Sequence, residues 1–251
     1  MNKILCLIPA RGNSKRIKNK NIKNLKGHPL IAYTIDVALE SKLFHEIVCV
    51  TDKSEYKQIA EYYGAKVPRL RPKHTATSKS PDIEWVKWIL EILDDKFDAF
   101  CILRPTSPLR KKRMFIDALK IFQSNKKIDS VRAVNLCSEH PGKMWKIKNR
   151  FKMEPLLEKN LNGTPWHSHQ YANLPEIYVQ NASFELSRIA NIKKYGTISG
   201  NNVAPLITQE NDGFDINTDQ DWNLLEQIIK KNPNALKKIS KKSYFQKKQL
   251  K

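Results

Sequence analysis

The sequence predicts an α/β fold: a Rossmann-like, mostly parallel sheet with helices on both faces and a small inserted lobe. Three observations carry this. Short apolar, β-branched runs alternate with helix-length segments through the first half of the chain. The strand-like runs are apolar throughout rather than alternating, as strands buried on both faces are. The alternation stops after Leu136 and strand character returns near Ile177. With 251 residues, 40% hydrophobic and 28% charged, the chain can bury a full core without disulfide or metal staples.

In order, Ile4–Pro9 reads as a strand and Pro29–Ser41 as a helix with proline in its first turn. Ile47–Thr51 is a strand, and Ser54–Tyr63 a helix stopped by Gly64. Lys66–Leu70 reads as a short strand, and Pro81–Leu93 as a helix with Ser80 as N-cap. Trp85 and Trp88 share its apolar face and read as core. Ala99–Leu103 (strand), Lys112–Gln123 (helix) and Ser130–Asn135 (strand) complete the series. Met144–Ile147 and Phe151–Met153 suggest a hairpin, and residues 154–176 show no period. A final helix fits Asp219–Lys231. The expected organisation is one domain over residues 1–231, with 136–176 as an inserted lobe and dimerisation region, and a basic tail over 232–251.

The net charge is +20, and its placement is uneven. Residues 1–26 hold eight basic residues and no acid; residues 230–251 hold nine lysines and no acid. Together these ends supply 17 of the 20 net charges. A nucleic-acid binder would explain this, as would a small polyanion held at one end and a solvated basic tail, Lys247 and Lys248 included. The first 26 residues contain no aromatic to stack on bases, which favours the small anion. No apolar run approaches the ~20 residues of a membrane span. The basic stretch follows the apolar start, the reverse of a secretion signal. Cys6, Cys49, Cys101 and Cys137 fit no metal or redox spacing and read as free thiols in or beside strands, implying a reducing, cytoplasmic setting.

Ligands of open parallel sheets bind beyond the strands' carboxyl ends. The loop after the first strand, IPARGNSKRIKNKNIKNLKG, combines Gly12, small polar residues and many cations there. Backbone N–H groups and cationic heads suit a phosphate cradle. It is neither a Walker loop nor a dinucleotide fingerprint, since no G-K-[S/T] precedes a helix and Gly12 is followed only by Gly27. Lys20 reads as an exposed loop cation. Asp52, after the second strand, is either catalytic or a brace of the loop. His167 and His169 in WHSHQY offer a metal pair with no completing ligand nearby, so a polar pocket is the better reading.

This loop resembles the signature of the acylneuraminate cytidylyltransferases, the CMP-sialic acid synthetase family. The resemblance continues through VTD at 50–52, LRP at 70–72, LRPTSPLR at 103–110, His140-Pro141 followed by Lys143, and FDINTDQDW at 214–222. It implies a Mg²⁺-dependent condensation of CTP with a nine-carbon 2-keto-3-deoxy sugar acid, giving the CMP-sugar and pyrophosphate. It also implies a homodimer that needs no membrane or nucleic acid. By the resemblance, Arg11, Ser14 and Lys20 hold the triphosphate, with Gly12 and Asn13 letting the backbone approach. Asn21 touches ribose or base, and Arg71 with Ser78 and Ser80 forms a cytosine pocket. Lys143 pairs with the sugar carboxylate, Gln170 and Asn181 line the sugar site, and Asp215 holds the metal. Arg11, Lys20 and Asp215 are the catalytic candidates.

Three positions depart from the family's sialic acid enzymes. Arg104 stands where they carry Gln, His169 where they carry Arg, and Asn217 where a second Asp of IDIDT stands, leaving FDINT. Asn217 still offers a neutral oxygen to Mg²⁺. The departures point away from N-acetylneuraminate and towards a legionaminic or pseudaminic type of acid. The remaining alternatives are a basic nucleic-acid-binding protein and a related nucleotidyltransferase using another sugar acid or nucleotide.

Overall fold

A computed structural model describes residues 3–12, 14, 16–94 and 97–249. The chain runs β1 (Ile4–Pro9), a two-residue pair β2 (Asn24–Leu25) and β3 (His28–Pro29), α1 (Leu30–Ser41), β4 (Glu46–Val50), α2 (Ser54–Tyr63) and α3 (Asp82–Ile92). It continues with β5 (Ala99–Ile102), α4 (Lys112–Ser124), β6 (Ser130–Leu136), the hairpin β7 (Trp145–Asn149) and β8 (Lys152–Pro155), and β9 (Tyr178–Arg188). It closes with α5 (Ala190–Tyr195), β10 (Val203–Ile207), α6 (Asp219–Lys231) and α7 (Tyr244–Gln249).

Six strands form the central sheet in the order β10-β6-β9-β5-β1-β4. β1 is parallel to both β4 and β5, and β9 runs antiparallel to β5. The period of two along β1 divides the core. Cys6 and Ile8 join one apolar layer with α1, α2, α4 and α6; Leu5 and Leu7 join a second with Trp85, Val86 and Ile89 of α3. Burial on both faces is why these strands read as unbroken apolar runs. Cys6, Cys49 and Cys101 are buried free thiols, held firmly protonated by that burial, while Cys137 is partly exposed. Among the described residues, no helix is long and apolar enough to cross a membrane.

The chain divides into two compact units, residues 1–133 with 181–251, and residues 134–180. In the first unit the expected strand at Lys66–Leu70 shrinks to one bridge, Val48 with Lys66. Pro68 lacks the N–H that a ladder needs. Ser80 does not cap α3: Pro81 occupies that position, and Ser80 Oγ donates instead to the His74 carbonyl at 2.8 Å. α5 and β10 were not anticipated. Pro205 interrupts β10, and this is tolerated because the strand lies at the sheet's edge. FDINT is not a strand but an irregular segment leading to the Thr218–Asp221 capping box of α6.

The C-terminal segment also departs from the expected solvated tail. Ala235, Leu236 and Ile239 are buried in the core, and Lys237 pairs with Asp36 at 3.0 Å and with Glu40 of α1. Three apolar side chains among many lysines suffice to fix it. The side chains of Lys247 and Lys248 lie outside the described residues.

Candidate active site

The loops after β1 and β5 and the segment between α2 and α3 border a cavity of about 490 Å³, with Asn217 on its wall. The first loop is built on backbone bonds. Ala10 N donates to the Val50 carbonyl at 2.9 Å, and Gly12 N to Asp52 Oδ1 at 2.7 Å. Asp52 therefore braces the loop. A Cβ on Gly12 would fall 2.3 Å from Lys53 Cγ, so glycine is what lets the loop pack against that side chain. Asn21 is buried and donates to the Arg11 carbonyl at 3.2 Å, closing the loop on itself. Asn13 lies outside the described residues.

Arg11, Ser14, Arg16, Lys20 and Asn21 line the cavity from this loop. Lys20 is not an exposed loop cation. It begins the short turn Lys20–Ile22, is partly buried, and donates from Nζ to the Ile216 carbonyl at 2.6 Å. Burial lowers its pKa below the ordinary lysine value; Asp215 opposes that, and Arg16 and Arg11 add to it. Arg11 donates from Nη1 to the Thr77 carbonyl at 2.7 Å.

Arg71, Ser78 and Ser80 line the same cavity. Arg71 is buried, donates from Nε to Thr75 Oγ1 at 3.1 Å and from Nη2 to the Thr75 carbonyl, and lies 5.4 Å from the Trp85 ring centre. Burial pulls its pKa down to about 10. Arg104 donates from Nη2 to Asp82 Oδ2 at 2.6 Å and to Glu185 Oε1 at 2.8 Å. Burial works against its charge, but Glu185 and Asp82 outweigh it, so its pKa rises. Arg132 takes the other oxygen of Glu185.

Ile216 N donates to the Thr106 carbonyl at 2.9 Å, which ties FDINT to the PTSPLR block. Asn217 lines the cavity and donates from Nδ2 to Asp215 Oδ2 at 2.7 Å. Asp215 Oδ1 is buried with no hydrogen-bond partner. A buried carboxylate oxygen without a donor, beside a neutral amide oxygen, fits a hard divalent cation. Among the described residues, no three His, Cys, Asp or Glu side chains form a ready-made metal cluster.

The remaining candidates do other work in the structure. Asn181 belongs to the first unit and braces β9, accepting from Ser183 Oγ at 2.6 Å and donating to Thr208 Oγ1 at 3.2 Å. Lys143, His169 and Gln170 belong to the 134–180 unit. There Lys143 Nζ donates to the His167 and His169 carbonyls at 2.8 and 2.5 Å, and His169 Nε2 meets the Leu161 carbonyl at 3.1 Å. WHSHQY is thus organised around a lysine. Gln170 is exposed. Sequence reasoning missed Arg16, Thr77, Asp82 and Thr106 on the cavity wall. In the sequence Arg16 reads only as one more charge, and Asp82 only as a helix residue.

A cavity lined by cations and hydrogen-bonding groups at the carboxyl end of a parallel sheet is the place where open α/β proteins bind their ligands. A family model described as cytidylyltransferase matches residues 5–87. The chain is 34% identical over 239 residues to the CMP-N,N'-diacetyllegionaminic acid synthase of Legionella pneumophila, covering 93% of this chain and 99% of that one. It is 42% identical over 132 residues to the N-acylneuraminate cytidylyltransferase of Escherichia coli O18:K1:H7, a match that covers 53% of this chain but only 31% of that longer protein. A solved CMP:2-keto-3-deoxy-manno-octonic acid synthetase complexed with CTP superposes with a TM-score of 0.68 at 14% identity, covering 91% of this chain and 99% of that chain, a likeness of fold. The chain belongs to the acylneuraminate-type cytidylyltransferase family and is a cytidylyltransferase.

Proposed function

We propose that this enzyme condenses CTP with a nine-carbon 2-keto-3-deoxy sugar acid, releasing pyrophosphate. The observation that carries this is the unequal lining of the cavity. Arg11, Arg16 and Lys20 supply positive charge from one loop, while Arg71, Ser78 and Ser80 supply fixed donors and acceptors from another. A nucleoside triphosphate has that polarity. The anomeric hydroxyl of the sugar acid gives up its proton to solvent as its oxygen bonds to the α-phosphorus, and the bond from that phosphorus to the bridging oxygen of pyrophosphate breaks, the leaving pyrophosphate taking the electron pair. No covalent enzyme intermediate is needed. The residues contribute position and fixed charge: Arg11 and Lys20 hold the phosphates in line and stabilise charge that moves onto pyrophosphate. A divalent cation, when bound, neutralises triphosphate charge, and Asp215 with Asn217 would hold it.

The sugar acid in this reading is of the legionaminic type. The full-length match to a legionaminic acid synthase and the departures at Arg104, His169 and Asn217 favour it over N-acetylneuraminate. Arg104, Lys143, His169, Gln170 and Asn181 are the sugar-binding candidates, with residues 136–176 as the lobe carrying three of them. The reading includes a homodimer. On β7–β8 of the 134–180 unit, Ile147, Phe151 and Met153 expose 73, 91 and 51% of their surface, an apolar face suited to a second copy. A cytoplasmic setting is supported by the unpaired Cys6, Cys49 and Cys101. The test is a panel of N-acetylneuraminate, N,N'-diacetyllegionaminate and pseudaminate, each with CTP and Mg²⁺, read as pyrophosphate release. Turnover fastest with the legionaminic acid is expected. Turnover of N-acetylneuraminate alone overturns the sugar assignment, and no release with any acid overturns the reaction.

A further inference from the structure

We infer that Asp82 is a positioning residue for nucleotide selection, holding both the Trp85 indole beneath Arg71 and the Arg104 guanidinium with one carboxylate. The inference rests on the reading of the cavity as a CTP site and names what sets its base-facing wall. Asp82 is the first residue of α3 and itself lines the cavity. Its Oδ1 accepts from Trp85 Nε1 at 2.8 Å, and its Oδ2 accepts from Arg104 Nη2 at 2.6 Å. Two donors from different elements, α3 and the loop after β5, therefore converge on one side chain.

Each donor leads to a wall residue. Trp85 is 1% exposed, and its ring carries the Arg71 guanidinium on its face. Arg71 is tied on its other side to Thr75, in the turn that precedes Ser78 and Ser80. Arg104 is shared with Glu185, whose second oxygen takes Arg132. Asp82 and Glu185 carry two negative charges and Arg104 and Arg132 two positive ones. Arg104 thus gives the cavity a fixed donor group without net attraction for phosphate, which stays with Arg11, Arg16 and Lys20.

The chemistry requires a carboxylate. The two donors meet different carboxylate oxygens, and in Asn one of those positions is an NH₂, which would face a donor and leave Trp85 or Arg104 without its acceptor. A pocket that tells cytosine from uracil works by leaving the wrong base's polar groups unpaired. That works only if the wall's donors and acceptors are held to a fraction of an ångström. Loosening Arg71, through the Trp85 indole that Asp82, itself held by Arg104, keeps beneath it, should therefore cost discrimination more than it costs general nucleotide affinity.

The test is equilibrium binding of CTP and of UTP to the wild-type chain and to Asp82→Asn, Asp82→Glu and Trp85→Phe, with thermal unfolding as the fold control. Asp82→Asn should bind CTP about tenfold more weakly, one lost charged hydrogen bond, and UTP within threefold of wild type, so that the ratio collapses. Asp82→Glu, with two acceptor oxygens, should recover the ratio to within about threefold. Trp85→Phe, which keeps the Arg104 bond, should fall between. If Asp82→Asn does not fold, Trp85→Phe carries the same comparison. A wild-type CTP/UTP ratio in Asp82→Asn, or equal losses for the two nucleotides, overturns the inference while leaving the CTP site standing. Failure of the wild-type chain to bind CTP overturns the site reading and this inference with it.

Discussion

The two basic ends of this chain are nearly alike in composition and differ in use. Residues 1–26 carry eight cations and residues 230–251 nine, with no acid in either. In the first, the Asp52 and Asn21 side chains brace the loop's backbone, and Arg11, Arg16 and Lys20 line a shared cavity. In the second, the chain is fastened down. Leu236 and Ile239 enter the core, Lys237 is neutralised by Asp36 and Glu40, and Lys111 Nζ donates to the Asn234 and Ala235 carbonyls at 3.0 and 2.9 Å. Ser243 Oγ reaches the Gly27 carbonyl, and Tyr244 N reaches Tyr63 Oη at 3.1 Å. Cations gathered on one cavity make a binding loop, whereas lysines strung beside apolar anchors make a strap. The sum of +20 does not distinguish them.

The contrast can be broken by mutation, and the largest effect belongs to the loop. Lys20→Ala should lower turnover about a hundredfold, the loss of one preorganised charge at the phosphates, against a stability loss of about 1 kcal/mol for its bond to the Ile216 carbonyl. Arg11→Ala should behave alike. If both retain rates within threefold of wild type, the loop is not the phosphate cradle. The strap should give the opposite signature. Leu236→Ala or Ile239→Ala should cost about 2 kcal/mol or more of stability in urea titration, and truncation after Lys231 should cost still more. A truncated chain as stable as the parent would show that these side chains are not part of the core.

Asp215→Asn should slow turnover at least tenfold, since it removes the carboxylate proposed to hold the metal. Asn217→Asp sharpens the point. In the structure the Asn217 amide donates to Asp215, so an Asp there sets two carboxylates against each other. The variant should melt lower without divalent cation and be restored by Mg²⁺, which also tests the site by a readout other than rate. A midpoint indifferent to Mg²⁺ in that variant would remove the segment from the metal site. A smaller effect concerns pH. Because burial lowers the Lys20 pKa, the Lys20 charge, and kcat/KM with it, should be lost on raising pH before an ordinary lysine deprotonates. Lys20→Arg should carry activity further into alkali; an unchanged alkaline limb would assign it to another group.

Much of the fold could be read from period and punctuation. Ser54–Tyr63 ends where Gly64 predicts, at a φ of +102°, and Asp219–Lys231 matches its predicted bounds. Two of the misses, β10 and the C-terminal strap, depend on partners distant in sequence. β10 forms despite Pro205 because of its place in the sheet, and the strap forms because α1 offers Asp36 and Glu40. At the site, Arg11, Ser14, Lys20, Asn21, Arg71, Ser78, Ser80, Arg104 and Asn217, named from the family resemblance, line one cavity. Asp82 was invisible because nothing near it in sequence announces Arg104, 22 residues away.

The most direct test of the contrast is CTP affinity measured side by side in Lys20→Ala and Lys237→Ala. Each removes one lysine from one basic end, so the two are matched in net charge. Loss of a loop cation should weaken CTP binding by about tenfold or more, and loss of the strap cation should leave it within about twofold, because an ion pair on the surface is worth little and lies outside the site. Equal weakening by the two substitutions would mean that overall positive charge, rather than the cavity built by the first loop, attracts the nucleotide.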